Sequence, residues 1–532
     1  MPDTAAPAET HTILPAASNQ ALGIARYAID FLASGEPDES VIERTRLFHT
    51  DAVLCGLSAI ALGTNAPNVL RAEAAQYPAG DIPGSTVFGS KTRVKPEKAV
   101  VANSNAVREW DSNGTNFGYN PKLGHTAGEF GHNDYYPVAI AGAHMSGADG
   151  RKALLAMIAI DEIRGRLAEV FSLKSYKIDH VLHGAIASAA VYGAMLGATP
   201  EQIESAIGMV VAHYVPFRAI RAGKQLSDSK GASAAISTEV AMLSVHRSML
   251  GFLGPRDIFR NPEAIFRLFE GPGQMFKRVS DTDANTTPAD ASPFDLHLAM
   301  RGSDFAVMGM HFKIGLYEHQ SAGAIQAIIS LFEKAPQLLD DPSGEAIRNI
   351  RIVAYEPAYG IIGDPAKKDP RTRQSADHSM AYIIATLIRK ALGARQMGHD
   401  ITWQELMLSP HDYAHDAIFN DQTRAIMSRI EFVHGGEEYD RRYPDGIPTS
   451  VVITDGDGSE FDSGLIMYPA GHARNNTADL KALLLAKFNM LGKLAFDNPQ
   501  PIIDRYNGFA DMSADELYTI DDYELRVRGT FE

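Results

Sequence analysis

The sequence predicts a mainly α protein in three stretches: helices to about residue 304, a smaller α+β region over 305–470, and helices again over 471–532. Three observations carry this. Apolar residues recur at helical spacing up to about residue 300 with few strand signals. Segments such as IRNIRIVAYEPAY (347–359) alternate in the strand manner, and DLKALLLAKFNMLGKLAF restores the helical pattern near the end. At 532 residues the chain is too long for one hydrophobic core and suggests two or three domains.

In order, residues 1–19 are Ala, Pro and Thr rich and read as a flexible tail. The tail has no basic n-region, no apolar h-region and no Arg, so neither a secretory signal nor a mitochondrial presequence is expected. Residues 20–63 read as two helices, the second opened by Ser40 with Glu43 at capping-box spacing. A third helix, a Gly/Pro turn, the short extended piece GSTVFGS and the helix VKPEKAVVANSNAV follow. Helices are then expected over 138–145 and 152–167, the latter apolar on most sides (ALLAMIAIDEI), as in the middle of a bundle. The small-residue block ASAAVYGAML predicts close helix approach. Thr199-Pro200-Glu201-Gln202 restarts a helix with an N-cap, Pro at the first position and Gln at the third. The loop RAIRAGKQLSDSKGASAA feeds a further helix through Leu243. Beyond Phe312, Ala381–Leu392 is an amphipathic helix, and SRIEFVHGG with TSVVITDGDGSEFDSGLIMYP reads as strands joined by a Gly/Asp hairpin turn.

Composition is ordinary for a soluble globular protein, 45% apolar and 21% charged. Lys and Arg total 49 against 65 Asp and Glu, a net charge of -16 that argues against nucleic acid or an anionic membrane as a partner. An anionic ligand therefore needs a locally basic site. Cys55 is the sole cysteine, so no intramolecular disulfide forms, and its run VLCGLSAIALG marks it as a small buried hydrophobe. No apolar run is long enough to span a bilayer, and a cytoplasmic protein is expected.

The stretch Arg108 to Pro137, REWDSNGTNFGYNPKLGHTAGEFGHNDYYP, gathers Asp111, Thr115, His125, Glu129, His132 and Asp134 with five glycines between helical blocks. Its aromatic residues, Trp110, Tyr135 and Tyr136 among them, supply too much buriable surface for a solvated linker. It reads as an ordered loop that presents acid, hydroxyl and imidazole groups to a cleft. Asp111 and Thr115 stand four apart around Ser112-Asn113-Gly114, so a tight turn can point both one way; an Asx turn or helix cap is the competing reading of Asp111. His132 taken singly reads first as a hydrogen-bonding surface residue.

Other clusters lie further on. Asp179, His180 and His183 precede the small-residue helix, where free backbone N–H groups favour an anion. His180 and His183 would make a metal pair, but no third ligand lies at an obvious spacing, so no metal is expected. Arg218, Arg221, Lys224 and Lys230 sit on a Gly/Ser-rich loop before a helix, suited to carboxylate or phosphate, or else simply solvated. Lys313 to Ser321, with Glu318-His319-Gln320, and Tyr468 to Arg474 stand at the two junctions with the α+β region. A P-loop, nucleophile elbow, zincin helix and dinucleotide fingerprint are absent.

With these pieces in place the chain resembles the MmgE/PrpD family over about residues 20–520. The resemblance is carried by Trp110-Asp111-Ser112-Asn113-Gly114-Thr115 followed by Gly131-His132, by DHVLHGAIAS, SKGASAA and YEHQSAGAIQA, and by DPRTRQSADHSMAYIIA and YPAGHAR. It implies an all-helical domain interrupted by an α+β lid, with the carboxy-terminal helices returning to the helical part, and a homodimer. It also implies a pocket of Asp111, Thr115, His132, His180, Lys230 and His319, with Lys224, Arg221, His125 and Asn113 as substrate-binding residues. His132 matches better than His125 because an aromatic-Pro-apolar helix start follows it, and Lys230 better than Lys224 because it stands directly before the helix. Two departures bear on the substrate: Gly114 replaces the second acid of the family's D-x-x-D-T pattern, and the segment from Thr115 to His132 is lengthened.

The resemblance implies a cofactor-free carbon–oxygen lyase that dehydrates a 2-methylcitrate-like hydroxy acid. Such an elimination needs a base for a proton beside a carboxylate, an acid for the leaving hydroxyl, and cations for the carboxylates. His132 and His180 are expected to handle protons, Asp111 to orient one of them, and Thr115, Lys230 and His319 to bind or polarise carboxylates. Decarboxylation or epimerisation begins with the same proton abstraction, and a catalytically idle helical scaffold or acid-binding protein is the rival of another class.

Overall fold

The computed structural model describes residues 10–117, 129–221, 226–268 and 290–531. The amino-terminal stretch expected to be loose carries a strand among its described residues. There β1 (His11–Leu14) pairs antiparallel with Leu296–Ala299 and buries Leu14. α1 (Gln20–Ser34) follows, capped by Asn19, whose side chain accepts the Leu22 amide at 3.1 Å. α2 (Glu39–Ala61) corrects the expected capping box: Asp38 holds the cap position, and Glu43 is drawn instead to Arg46 and to Lys481 at 3.4 Å. Cys55 is buried in α2, and burial pushes its thiol up to about 12, as a structural cysteine requires.

α3 (Asn65–Ala74) and α4 (Pro96–Arg108, with Pro in its first turn) lead to the key loop. There β2 (Thr115–Phe117) and β3 (Glu129–His132) pair antiparallel, with Thr115 opposite His132. Behind them run α5 (Tyr136–Ser146), α6 (Gly150–Val170), α7 (Val181–Met195), α8 (Pro200–His213) and α9 (Asp228–Met249). The expected capping box at the start of α8 forms: the Thr199 amide donates to Gln202 Oε1 at 2.9 Å and the Gln202 amide to Thr199 Oγ1 at 3.2 Å. α7 is the centre of the bundle, packed against α1, α5, α6, α8 and α9. Its small residues let the neighbours in: a Cβ at Gly184 would collide with the Tyr135 ring. Within α6, buried Glu162 accepts the amides of Ala299 (2.8 Å) and Ala306 (2.7 Å), which ties the returning strand β4 (Leu296–Ala299) to the bundle.

The α+β region begins with α10 (Ala322–Lys334) and builds a four-stranded sheet from β5 (Ile347–Ala354), β6 (Ile430–His434), β7 (Thr449–Asp455) and β8 (Glu460–Asp462). The strand order is β6-β5-β7-β8, with β6 parallel to β5 and the remaining pairs antiparallel. The expected hairpin is β7-β8. Ile350, Ile352 and Ala354 bury one face of β5, and α10 packs on β7 where Gly323 admits Thr449. α11 (Met380–Gln396) carries the expected amphipathic helix. α12 (Leu480–Ala495) then leaves the sheet and packs against α2. Among the described residues no single helix is long and apolar enough to cross a membrane.

Candidate active site

The chain leaves α4 through Trp110, which is fully buried and donates its indole N–H to Ser58 Oγ at 2.9 Å. That anchor turns Asp111 inward, in a left-handed backbone conformation (φ 49°) that aspartate tolerates better than most residues. Arg108 Nη1 meets its Oδ1 at 2.6 Å, one helical turn back. The Lys313 ammonium also reaches Oδ1, while Lys230 Nζ (3.2 Å) and His378 Nε2 (3.0 Å) reach Oδ2. Burial alone would raise this carboxyl's pKa, but Arg108, Lys313 and Lys230 hold it well below the usual carboxylate range. Asp111 is therefore an ionised hub that fixes three cations.

Lys230 has a second set of partners, Asp377 Oδ1 at 3.4 Å and His378 Nδ1 at 3.1 Å. The ligand atoms of Asp111, Asp377 and His378 lie within 4.8 Å of one another, a spacing that could hold a metal ion. The Lys230 ammonium stands within hydrogen-bond reach of all three, so it neutralises the position a cation would take.

Around this hub opens a cleft lined by residues of both the bundle and the sheet-bearing region. Thr115 and His132 enter it side by side from the β2-β3 pair, and β2 is also tied to His311 by two backbone hydrogen bonds of 3.0 and 2.8 Å. His180 enters from the residue preceding α7, its Nδ1 3.4 Å from Asp179 Oδ1. The His132 and His180 ring centroids are 5.9 Å apart, close enough for both to reach one small molecule. Burial first, then the charges of Arg108 and Lys313, depress the His132 pKa, so this ring stands neutral. His319 is likewise held low by burial and Lys313. It belongs to a column of imidazoles in which His311 stacks 5.0 Å from His319 and 3.9 Å from His472. Among the described residues, Thr115 Oγ1, His132 Nδ1 and both ring nitrogens of His319 are buried with no hydrogen-bond partner. Buried polar atoms of this kind are costly unless a ligand satisfies them.

The six expected pocket residues, Asp111, Thr115, His132, His180, Lys230 and His319, thus line one cleft. Asn113 does not line it: its side chain is buried and donates to Asp134 at 3.5 Å. His125 and Lys224 lie outside the described residues, and of Arg221 only the backbone, closing a short 3-10 helix, is described. The His183 ring is turned toward the Phe171 carbonyl at 3.0 Å, as in a core histidine. Residues that the sequence analysis did not assign to the pocket also face it: Arg108, Lys313, Glu318, Lys367 and His378. Lys313 and Glu318 stood in a noted cluster and His378 in a quoted motif, but Lys367, in PAKKDP, carried no signal.

Gly114, the departure from D-x-x-D-T, has a steric cause. A Cβ there would run into the ring of Phe48, which is itself stacked on Phe312 at 3.8 Å between centroids. Here the wall is closed by aromatic packing where the family pattern places an acid.

The MmgE/PrpD N-terminal domain model matches residues 23–276 and the MmgE/PrpD C-terminal domain model residues 317–504. The chain is 26% identical over 361 residues to the alkylcitrate dehydratase phiI of a fungal species, covering 65% of this chain and 62% of that protein. It is 24% identical over 341 residues to the 2-methylcitrate dehydratase of Escherichia coli K12, covering 63% and 62%. Over 471 residues it is 24% identical to the probable 2-methylcitrate dehydratase of Saccharomyces cerevisiae, covering 84% and 81%. The match thus spans just under two thirds of the first two relatives and most of the third. Matched in both its amino-terminal and carboxy-terminal parts, the chain belongs to the MmgE/PrpD family.

Proposed function

We propose that this protein is a carbon–oxygen lyase that dehydrates a 2-methylcitrate-like hydroxy acid carrying two or three carboxylates. The observation that carries the reading is the make-up of one cleft: Arg108, Arg218, Lys230, Lys313 and Lys367 line it together with His132, His180 and His319. Such a cationic lining in a chain of net charge -16 suits a polyanion. The neutral imidazoles of His132 and His319 beside it suit abstraction of a proton next to a carboxylate, and the cations stabilise the charge that develops. The relatives' names point to the same reaction. In this reading His132 and His180 move protons, Asp111 sets the positions of Arg108, Lys230 and Lys313, and Thr115 and His319 bind substrate oxygens. We read the region 305–470 as a lid that brings His319, Lys367 and His378 to the cleft.

The test is an ultraviolet assay of chelator-treated protein with 2-methylcitrate, citrate and related hydroxy acids. Carbon dioxide and solvent-deuterium uptake are followed in parallel. Absorbance of a new conjugated alkene is expected. Carbon dioxide release without water loss, or deuterium exchange alone, would replace dehydration by decarboxylation or epimerisation. Silence across the panel would overturn the lyase reading.

A further inference from the structure

We propose that Glu318 is the acid of this elimination, its carboxyl group handing a proton to the departing hydroxyl oxygen while an imidazole of the same cleft takes the carbon-bound proton. The inference rests on the dehydratase reading above and narrows it: of the two proton steps given there to His132 and His180, the one to the leaving hydroxyl passes to Glu318. Glu318 is 9% exposed and lines the cleft with Asp111, His132 and Lys313. It is held from two sides: Oε2 accepts the Gln320 amide at 2.8 Å, and its own amide donates to the Asp377 carbonyl at 2.9 Å. A carboxyl group fixed in this way, at the start of the 3-10 turn His319–Ser321, is a positioned group and not a mobile surface acid.

The charged groups that act on it are Asp111, Lys313 and Lys367. Burial and then the negative charge of Asp111 push the Glu318 carboxyl up to about 7, against the pull of Lys313. Burial and neighbouring cations hold His132, His319 and His378 below the ordinary imidazole range. The two proton roles therefore separate: the imidazoles are free to accept, and Glu318 carries a proton to give. As the imidazole takes the proton, the C–H electron pair becomes the new C=C bond. The C–O pair leaves with the oxygen, which takes the Glu318 proton and departs as water. The carboxylate left behind is stabilised by Lys313 and Lys367, and return of the imidazolium proton through solvent restores the starting state.

Glu318→Gln keeps the shape and the Gln320 contact but has no acidic proton. On 2-methylcitrate, the variant's kcat is expected to fall about 100-fold or more. Fluoride leaves without a proton, so on an analogue bearing fluorine in place of the leaving hydroxyl the variant should stay within about fivefold of wild type. Fluoride release also shows that the variant is folded. Turnover of 2-methylcitrate equal to wild type overturns the proposal, and so does an equal loss on both substrates, which would make Glu318 a structural support. A wild-type protein inert to both compounds overturns the elimination itself and the role of Glu318 with it.

Discussion

The Lys487 ammonium lies 2.7 Å from Asp51 Oδ1, with both side chains fully buried. The same ammonium donates to the carbonyls of Ser112 (2.6 Å) and Lys313 (2.8 Å), one beside Asp111 and the other on its partner lysine. The carboxy-terminal helix α12 therefore braces the floor of the cleft through a single side chain. Lys487→Met leaves Asp51 buried and unpaired and should cost about 3–5 kcal/mol. Urea unfolding followed by circular dichroism measures it. The double variant Lys487→Met/Asp51→Asn should recover part of the loss, because no charge is then stranded; an unchanged midpoint in the single variant would show that the pair contributes nothing.

Asp111 is the only carboxylate that Lys313 and Arg108 both reach within ion-pair distance among the described residues. Asp111→Asn removes the charge on which Arg108, Lys230 and Lys313 converge. A loss of about 100-fold or more in kcat/KM is expected, with a lower thermal midpoint. Steady-state kinetics and a melt on one preparation check both, and wild-type kinetics would remove Asp111 from the site.

Lys230 occupies the seat formed by Asp111, Asp377 and His378. Lys230→Ala vacates it and leaves the seat's two carboxylates and imidazole without the lysine, while Asp111 keeps Arg108 and Lys313 and Asp377 keeps Arg373 on their other sides. Uptake of Co²⁺ is expected in the variant and not in wild type, read as visible absorption after gel filtration. No absorption in the variant would mean that the three ligands do not converge without the lysine.

Gly114→Asp restores the family's second acid but drives a side chain into Phe48. A destabilisation of about 1–3 kcal/mol is expected from the overpacking. A thermal melt unchanged by the substitution would show that the Phe48–Phe312 stack yields without cost.

Glu318 makes stability depend on pH. Its pKa is raised from 4.5 to about 7 in the fold, so between these values the native state binds more protons than the unfolded chain. Its contribution is complete below 4.5 and is lost as pH rises through 7, by about 3 kcal/mol at 1.36 kcal/mol per unit. Unfolding free energies of wild type and Glu318→Gln, measured from pH 4.5 to 8, should diverge in that direction. Parallel curves would place the carboxyl's titration outside the window.

Helices were legible because their causes are local. Thr199 and Gln202 form their capping box three residues apart, the run 181–195 is small and apolar almost throughout, and the β7-β8 hairpin is written in its Gly/Asp turn. The reading failed at Ser40, where the helix starts one residue earlier, at Glu39, with Asp38 at the cap, and Glu43 pairs with neighbouring Arg46 and with distant Lys481. The short motifs around Asp111, His132, His180, Lys230 and His319 also identified groups that the fold brings to one cleft. What the sequence by itself determined, then, were the elements and the chemistry-bearing residue types, because helix period, caps and turns act over a few residues. Only the tertiary structure decided that Lys313, 202 residues from Asp111, shares its carboxylate, that His378 closes the Lys230 seat, that Glu318 is buried beside Asp111, and that Phe48 forbids a side chain at Gly114. Those relations are set by burial and by through-space charge, and neither has a period or spacing that can be read along the chain.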